Sequence, residues 1–125
     1  MTGVQTCALP ISRTLGAGRV IAAFQPHLYS RTQHLAGAFG RALAGADLAC
    51  VLDVYPARER AEDFPGVSGR LVAERVADAA PGREVLWLPR FDDAAAVLRQ
   101  RLRANDVLLV LGAGDVRALG ELLLA

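Results

Sequence analysis

Four unbroken apolar runs rich in β-formers alternate with longer segments of helical period, and that alternation leaves few folds open to the chain. "RVIAAF" (19–24), "LACVLDVY" (48–55), "EVLWLP" (84–89) and "NDVLLVLG" (105–112) read as strands. Between the first two lies "RTQHLAGAFGRALAGA", where Leu35, Phe39 and Leu43 recur every fourth residue as one helix stripe. Ser68 is the expected N-cap of a second helix carrying Leu71, Val72, Val76 and Ala79. Asp92 or Asp93 is expected to cap a third, with Ala96, Val97, Gln100 and Leu102, and "DVRALGELLL" closes the pattern as a fourth. Strands that are apolar on both faces belong to sheets covered on both faces, and helical connections between them imply parallel pairing. The expected fold is therefore α/β, a doubly wound, mostly parallel sheet with helices on both faces.

The chain has 125 residues, which suits one domain. All 14 of its cations are arginine, so no lysine is available for a Schiff base or a carbamate. A net charge of +1 carries no footprint for nucleic acid or an anionic membrane, and neither is expected as a partner. No apolar stretch approaches the roughly 20 residues of a membrane helix. Cys7 and Cys50 form no spaced framework, so a cytoplasmic location is expected and Cys50 reads as a small core residue. Residues 1–12, "MTGVQTCALPIS", match the in-frame translation of a common sequencing adapter read from a GTG start. They are expected not to be native and are set aside, leaving residues 13–125 as the domain, truncated at its start.

In a parallel sheet ligands bind beyond the carboxyl ends of the strands. Three of those ends are chemically unusual: "QPHLYSRT" after the first strand, "DVYPARE" after the second and "GAGD" after the fourth. Pro26 fixes its own φ and biases Gln25 toward extended geometry. Ser30 is the expected N-cap of the following helix, whose free N–H groups favour an anion. Arg31 offers a bidentate clamp for a carboxylate or phosphate, and His27 a group able to orient the ligand or move a proton. A capped turn with a solvated arginine explains the same residues without function. Asp53 can accept from a ribose or an amine, or pair with Arg31 across the loops. "RERAED" reads as an exposed charge run.

Several chemistries are unsupported. The "GAG" at 112–114 lacks the third spaced glycine of a dinucleotide fingerprint, "GVSG" lacks the glycine of a nucleophile elbow, and no phosphate loop ending in Gly-Lys is present. His27, His34 and Cys50 have no metal-ligand spacing, so no metal is expected on this chain and none of its residues is singled out as catalytic. A receiver-type or flavodoxin-type binding module is the alternative from another class. A receiver needs an acidic cluster after the first strand, where this chain has "QPHLYS".

Together "VIAAFQPHLYSRT", "ADLACVLDVYPARE", "PGVSGRLVAE" and "LLVLGAGDV" resemble the carboxy-terminal domain of the Mur ligases, in order and spacing, over residues 13–125. The resemblance is to the alanine-adding branch. The "PHLYSRT" loop argues against its murein-tripeptide recycling relative. The resemblance implies a Rossmann-like domain of an ATP- and Mg2+-dependent, cytoplasmic enzyme of peptidoglycan synthesis. There ATP phosphorylates the lactyl carboxylate of UDP-N-acetylmuramate, and the amine of L-alanine attacks the acyl phosphate. Two further domains would bind the sugar nucleotide and ATP, so this chain alone is expected to be inactive. By position, the resemblance implies that His27 and Arg31 hold the amino acid, with Tyr29 and Ser30 supporting their loop. Asp53, Tyr55, Arg58 and Glu59 would line the neighbouring wall, and Gly112, Ala113 and Gly114 a third edge. Leu28 departs from relatives that carry a second arginine there.

Overall fold

The computed structural model describes residues 18–112 and 116–124. Residues 1–17, which include the segment set aside above, lie outside the described residues, as do Ala113 and Gly114. Four strands are present: β1 (Arg19–Gln25), β2 (Leu48–Val51), β3 (Glu84–Trp87) and β4 (Asp106–Gly112). Four α-helices accompany them among the described residues: α1 (Tyr29–Leu43), α2 (Gly69–Ala79), α3 (Phe91–Arg101) and α4 (Val116–Leu124), with a 3-10 turn at Ala61–Asp63. The strands form one sheet in the order β3-β2-β1-β4, and every pairing is parallel. The chain thus builds outward from β1 through β2 to β3, then returns to place β4 on the other side of β1.

The period-2 alternation of the strands divides the core between two faces. Val20, Ala22 and Phe24 of β1 join Ala49 and Val51 of β2 against α1 and α2, which contribute Phe39, Leu43, Val72 and Val76. Ile21 and Ala23 point the other way with Leu48 and Cys50, onto Ala94, Ala95 and Leu98 of α3 and Leu119 of α4. This is the doubly wound arrangement expected from the unbroken apolar runs. It explains why β1, between two strands and two helix layers, has Val20 to Ala23 wholly buried.

Helix phase departs from expectation in places. In α1 the buried stripe is Thr32, Ala36, Phe39, Gly40 and Leu43, so Leu35 sits at its margin. Ser68 caps α2 as expected, its Oγ accepting from the Arg70 N–H at 3.2 Å. The α2 stripe is Gly69, Val72, Ala73 and Val76, and Ala79 is exposed. In α3 neither Asp92 nor Asp93 is the cap. The helix starts at Phe91 after Arg90, and both acids lie in its first turn. That earlier start rotates the buried face to Ala94, Ala95 and Leu98, leaving Ala96 and Gln100 exposed. Leu102 follows the helix and packs at the edge of the second cluster.

At the amino end of the sheet Arg19 and Asp106 form a two-point pair, with Nε and Nη2 donating to the two carboxylate oxygens at 3.0 and 2.7 Å. The arginine holds the Asp106 carboxyl below its ordinary range. Here the pair ties β1 to β4 and leaves the opposite, carboxyl end of the sheet free for other work. Among the described residues no helix is long and apolar enough to cross a membrane.

Candidate functional site

Because all four strands are parallel, their carboxyl ends lie along one edge, and with them the loops that hold His27, Asp53 and Gly112. Between β1 and β2 the register changes just past the strands. Phe24 faces Val51, 27 positions on, whereas His27 faces Tyr55, 28 positions on. One extra residue is therefore accommodated in 52–54, a bulge that re-aims side chains at the end of a sheet. The pairing closes again through Tyr55 N–H to Pro26 O at 2.8 Å and Leu28 N–H to Tyr55 O at 2.9 Å. Those bonds bring the rings of His27 and Tyr55 into a stack, 5.9 Å between centroids at 26°. The imidazole is thereby oriented by its neighbouring loop.

Leu28 then takes φ 68° and ψ 136°, a conformation that costs an L-residue of order 1–3 kcal/mol. It is held by its own N–H bond and by a carbonyl that accepts from the Thr32 N–H and Oγ1 at 3.0 and 2.7 Å. This sharp turn starts α1 at Tyr29, earlier than expected. Leu28, not Ser30, is the N-cap position, and no side chain caps there.

The expectation that Ser30 caps the helix is thus corrected: its backbone N–H and its Oγ both donate to the Glu59 carboxylate, at 3.0 and 2.5 Å. The anion at the α1 amino terminus is the protein's own Glu59. These bonds, led by the Ser30 hydroxyl, hold the Glu59 carboxyl below its ordinary range. Tyr29 stacks on Phe64 at 6.1 Å, a further fastening of the first loop to the second. Burial, followed by the nearby Asp53 carboxylate, raises the Tyr29 phenol and keeps it protonated.

Asp53 does not pair with Arg31. Its Oδ1 accepts from the Val54 N–H at 2.8 Å and, more loosely, from the Gly69 N–H at 3.5 Å. A carboxylate at the start of α2 is favoured by the helix dipole. Arg31 and Arg58 are exposed and have no ion-pair or hydrogen-bond partner among the described residues. Gly112 ends β4 beside Gln25, at φ 136°, and a Cβ there would lie 2.5 Å from the Gln25 carbonyl oxygen. The backbone approach of β4 to β1 therefore requires glycine. Ala113 and Gly114, expected with it, are outside the described residues.

A cleft of about 460 Å³ opens beyond the tips of β1, β2 and β3. It is lined by Gln25, Asp53, Tyr55, Arg90, Phe91 and Asp92, among others. Sequence reasoning found Asp53 and Tyr55 but passed over Gln25 and the "PRFDD" tip of β3. The available signal was positional: every strand of a parallel sheet delivers a tip to the same edge. Arg90 is spent locally, donating to both oxygens of Asp92 at 3.2 and 3.1 Å. The described residues hold no cluster of three or more His, Cys, Asp or Glu that could bind a metal ion.

The family model "Mur ligase, glutamate ligase domain" matches residues 2–114, a span that begins inside the segment set aside above. The UDP-N-acetylmuramate–L-alanine ligase of Cutibacterium acnes is 47% identical over 108 residues, 86% of this chain and 22% of that protein. The enzyme of the same name from Kineococcus radiotolerans is 51% identical over 105 residues, 84% of this chain and 21% of its own. That of Chlorobaculum parvum is 49% identical over 98 residues, covering 78% and 21%. The chain thus spans about a fifth of the length of these curated relatives. With a family match across most of its length and a doubly wound parallel sheet, the chain belongs to the Mur ligase family, as a ligase domain of the kind found at its carboxy terminus.

Proposed function

We propose that residues 13–125 form the amino-acid-binding domain of an ATP-dependent enzyme that joins L-alanine to UDP-N-acetylmuramate for peptidoglycan synthesis in the cytoplasm. The observation that carries this reading is the 47–51% identity to proteins of that name over most of the chain. In the reaction the γ-phosphoryl group of ATP passes to the lactyl carboxylate. The alanine amine then adds to the acyl carbon, phosphate leaves with the bonding pair, and the amine gives up a proton. By the family resemblance, Mg2+, ATP and the sugar nucleotide are held mainly by the two other domains of such an enzyme.

What this chain does is orient and enclose. Arg31, an exposed guanidinium in the first turn of α1, donates to both oxygens of the alanine carboxylate. His27, fixed by its stack on Tyr55, adds a second donor. Glu59 and Ser30 keep that loop from drifting, and placing the amine within reach of the acyl carbon supplies much of the rate advantage. Gly112, at the tip of β4, closes the third edge, and Arg58 lies on the wall facing nucleotide.

The test is a graft of residues 13–125 onto the preceding domains of the Cutibacterium acnes relative. L-alanine- and UDP-N-acetylmuramate-dependent phosphate release from ATP is the expected result. A folded graft that releases phosphate with no dependence on L-alanine overturns the reading.

A further inference from the structure

Gln25 ends β1 and is 7% exposed, yet its side-chain Oε1 is buried and accepts no hydrogen bond among the described residues. Buried amide oxygens are almost always partnered, because an unpartnered one loses its hydration without return. The position is also special. β1 lies between β2 and β4, where the chain's direction of build reverses, and such a switch point is where open α/β sheets take ligands. Gly112, opposite in register, has no side chain to offer, and its backbone approaches too closely for one to fit. Continuing the alternation of Ile21 and Ala23, Gln25 falls on the α3/α4 face of the sheet, and it is one of the residues lining the 460 Å³ cleft.

We infer that Gln25 Oε1 is the acceptor for the α-amino group of the incoming amino acid, an assignment that rests on the proposed function above. The cleft's charges select such a donor. Asp53 and Asp92 line it, while Arg90, the one cation among the described lining residues, is paired with Asp92 and Asp93. An ammonium or amine is therefore favoured there over an anion. The carboxylate end of the same zwitterion then lies toward His27 and Arg31, outside the lining of the cleft. Two ends of one small molecule are read by two different groups of residues at adjoining strand tips.

The experiment uses the graft described above. Gln25→Leu keeps the volume and deletes the acceptor; it should raise the KM for L-alanine by about tenfold or more and leave that for ATP within about twofold. Gln25→Glu restores an acceptor and should return the alanine KM to within about threefold of the unmutated graft. An unchanged alanine KM in Gln25→Leu, the result if Oε1 meets only water, overturns the inference, as does a rise confined to ATP, the result if it meets the nucleotide. Absence of alanine-dependent turnover in the unmutated graft instead sinks the functional reading. Should Gln25→Leu fail to fold in the graft, the 125-residue chain is titrated with L-alanine and with L-lactate, following the Gln25 side-chain amide by NMR. A shift with alanine and none with lactate supports the inference; equal shifts, or none with either, overturn it.

Discussion

Ser30 grips Glu59 with both of its donors, the backbone N–H at 3.0 Å and the hydroxyl at 2.5 Å. The contact joins residues 29 positions apart and turns two separate loops into one wall. It also fills the anion-favouring end of α1 from within, so an external carboxylate has to be bound by side chains further along, Arg31 first.

That contact carries a pH dependence of known sign. Glu59 is held below its ordinary range, so the link stabilises the folded loops above the unfolded carboxyl value of about 4.3 and is lost as pH falls through the lower folded value. Amide signals of Ser30 and Tyr29, followed by NMR from pH 7 downward, should move together in a single step below about pH 4.3. In Glu59→Gln that step should vanish. A step that persists in the variant would assign it to another carboxylate.

Leu28 is the strained hinge of the same loop. Its φ of 68° suits glycine, so Leu28→Gly should leave the domain equally stable or raise its stability by up to about 1 kcal/mol, despite the loss of a half-buried side chain. Chemical denaturation of the two proteins reads this directly. A loss of more than about 2 kcal/mol would show that the Leu28 side chain, not its backbone, holds the loop.

At the other side of the switch point the opposite holds. Gly112→Ala meets both a positive φ and the Gln25 carbonyl oxygen 2.5 Å from the new Cβ. It should destabilise the domain by about 2 kcal/mol or more and weaken amide protection along β1 and β4. Hydrogen exchange at Ala23 and Val110 reports it. Unaltered exchange there would contradict the close approach.

Cys50 tests the core. It is wholly buried in the sheet, and burial pushes its thiol up to about 12. In the native protein at pH 8 it should resist iodoacetamide, and it should react fully once unfolded, as read by mass spectrometry of the peptide containing it. Native labelling at Cys50 would mean that the sheet opens.

Much of this architecture was legible because the strands are apolar on both faces; "RVIAAF" admits hardly any other reading than a central parallel strand. Its tip stood out as a candidate site, since turn-forming needs do not explain a histidine, a serine and an arginine together. What escaped depended on partners distant in sequence. Ser30 looked like a cap because Glu59, its true partner, lies in another loop. The β2 run looked continuous to Tyr55 because the bulge at 52–54 appears only against β1. The α3 stripe was misplaced because its alanines carry almost no periodic signal, and the phase then hung on Asp92 or Asp93 as a cap. Gln25 was read as part of a loop, although its parity with Ile21 and Ala23 already put it on a buried face.

The central claim is that this edge of the sheet grips an amino acid by its carboxylate, and Arg31 is where it is most exposed to test. In the graft, Arg31→Ala should raise the KM for L-alanine by about 10- to 100-fold, the worth of a charged hydrogen-bonded pair, with the KM for ATP changed less than about twofold. Equal rises for alanine and ATP, or none for alanine, would contradict the account.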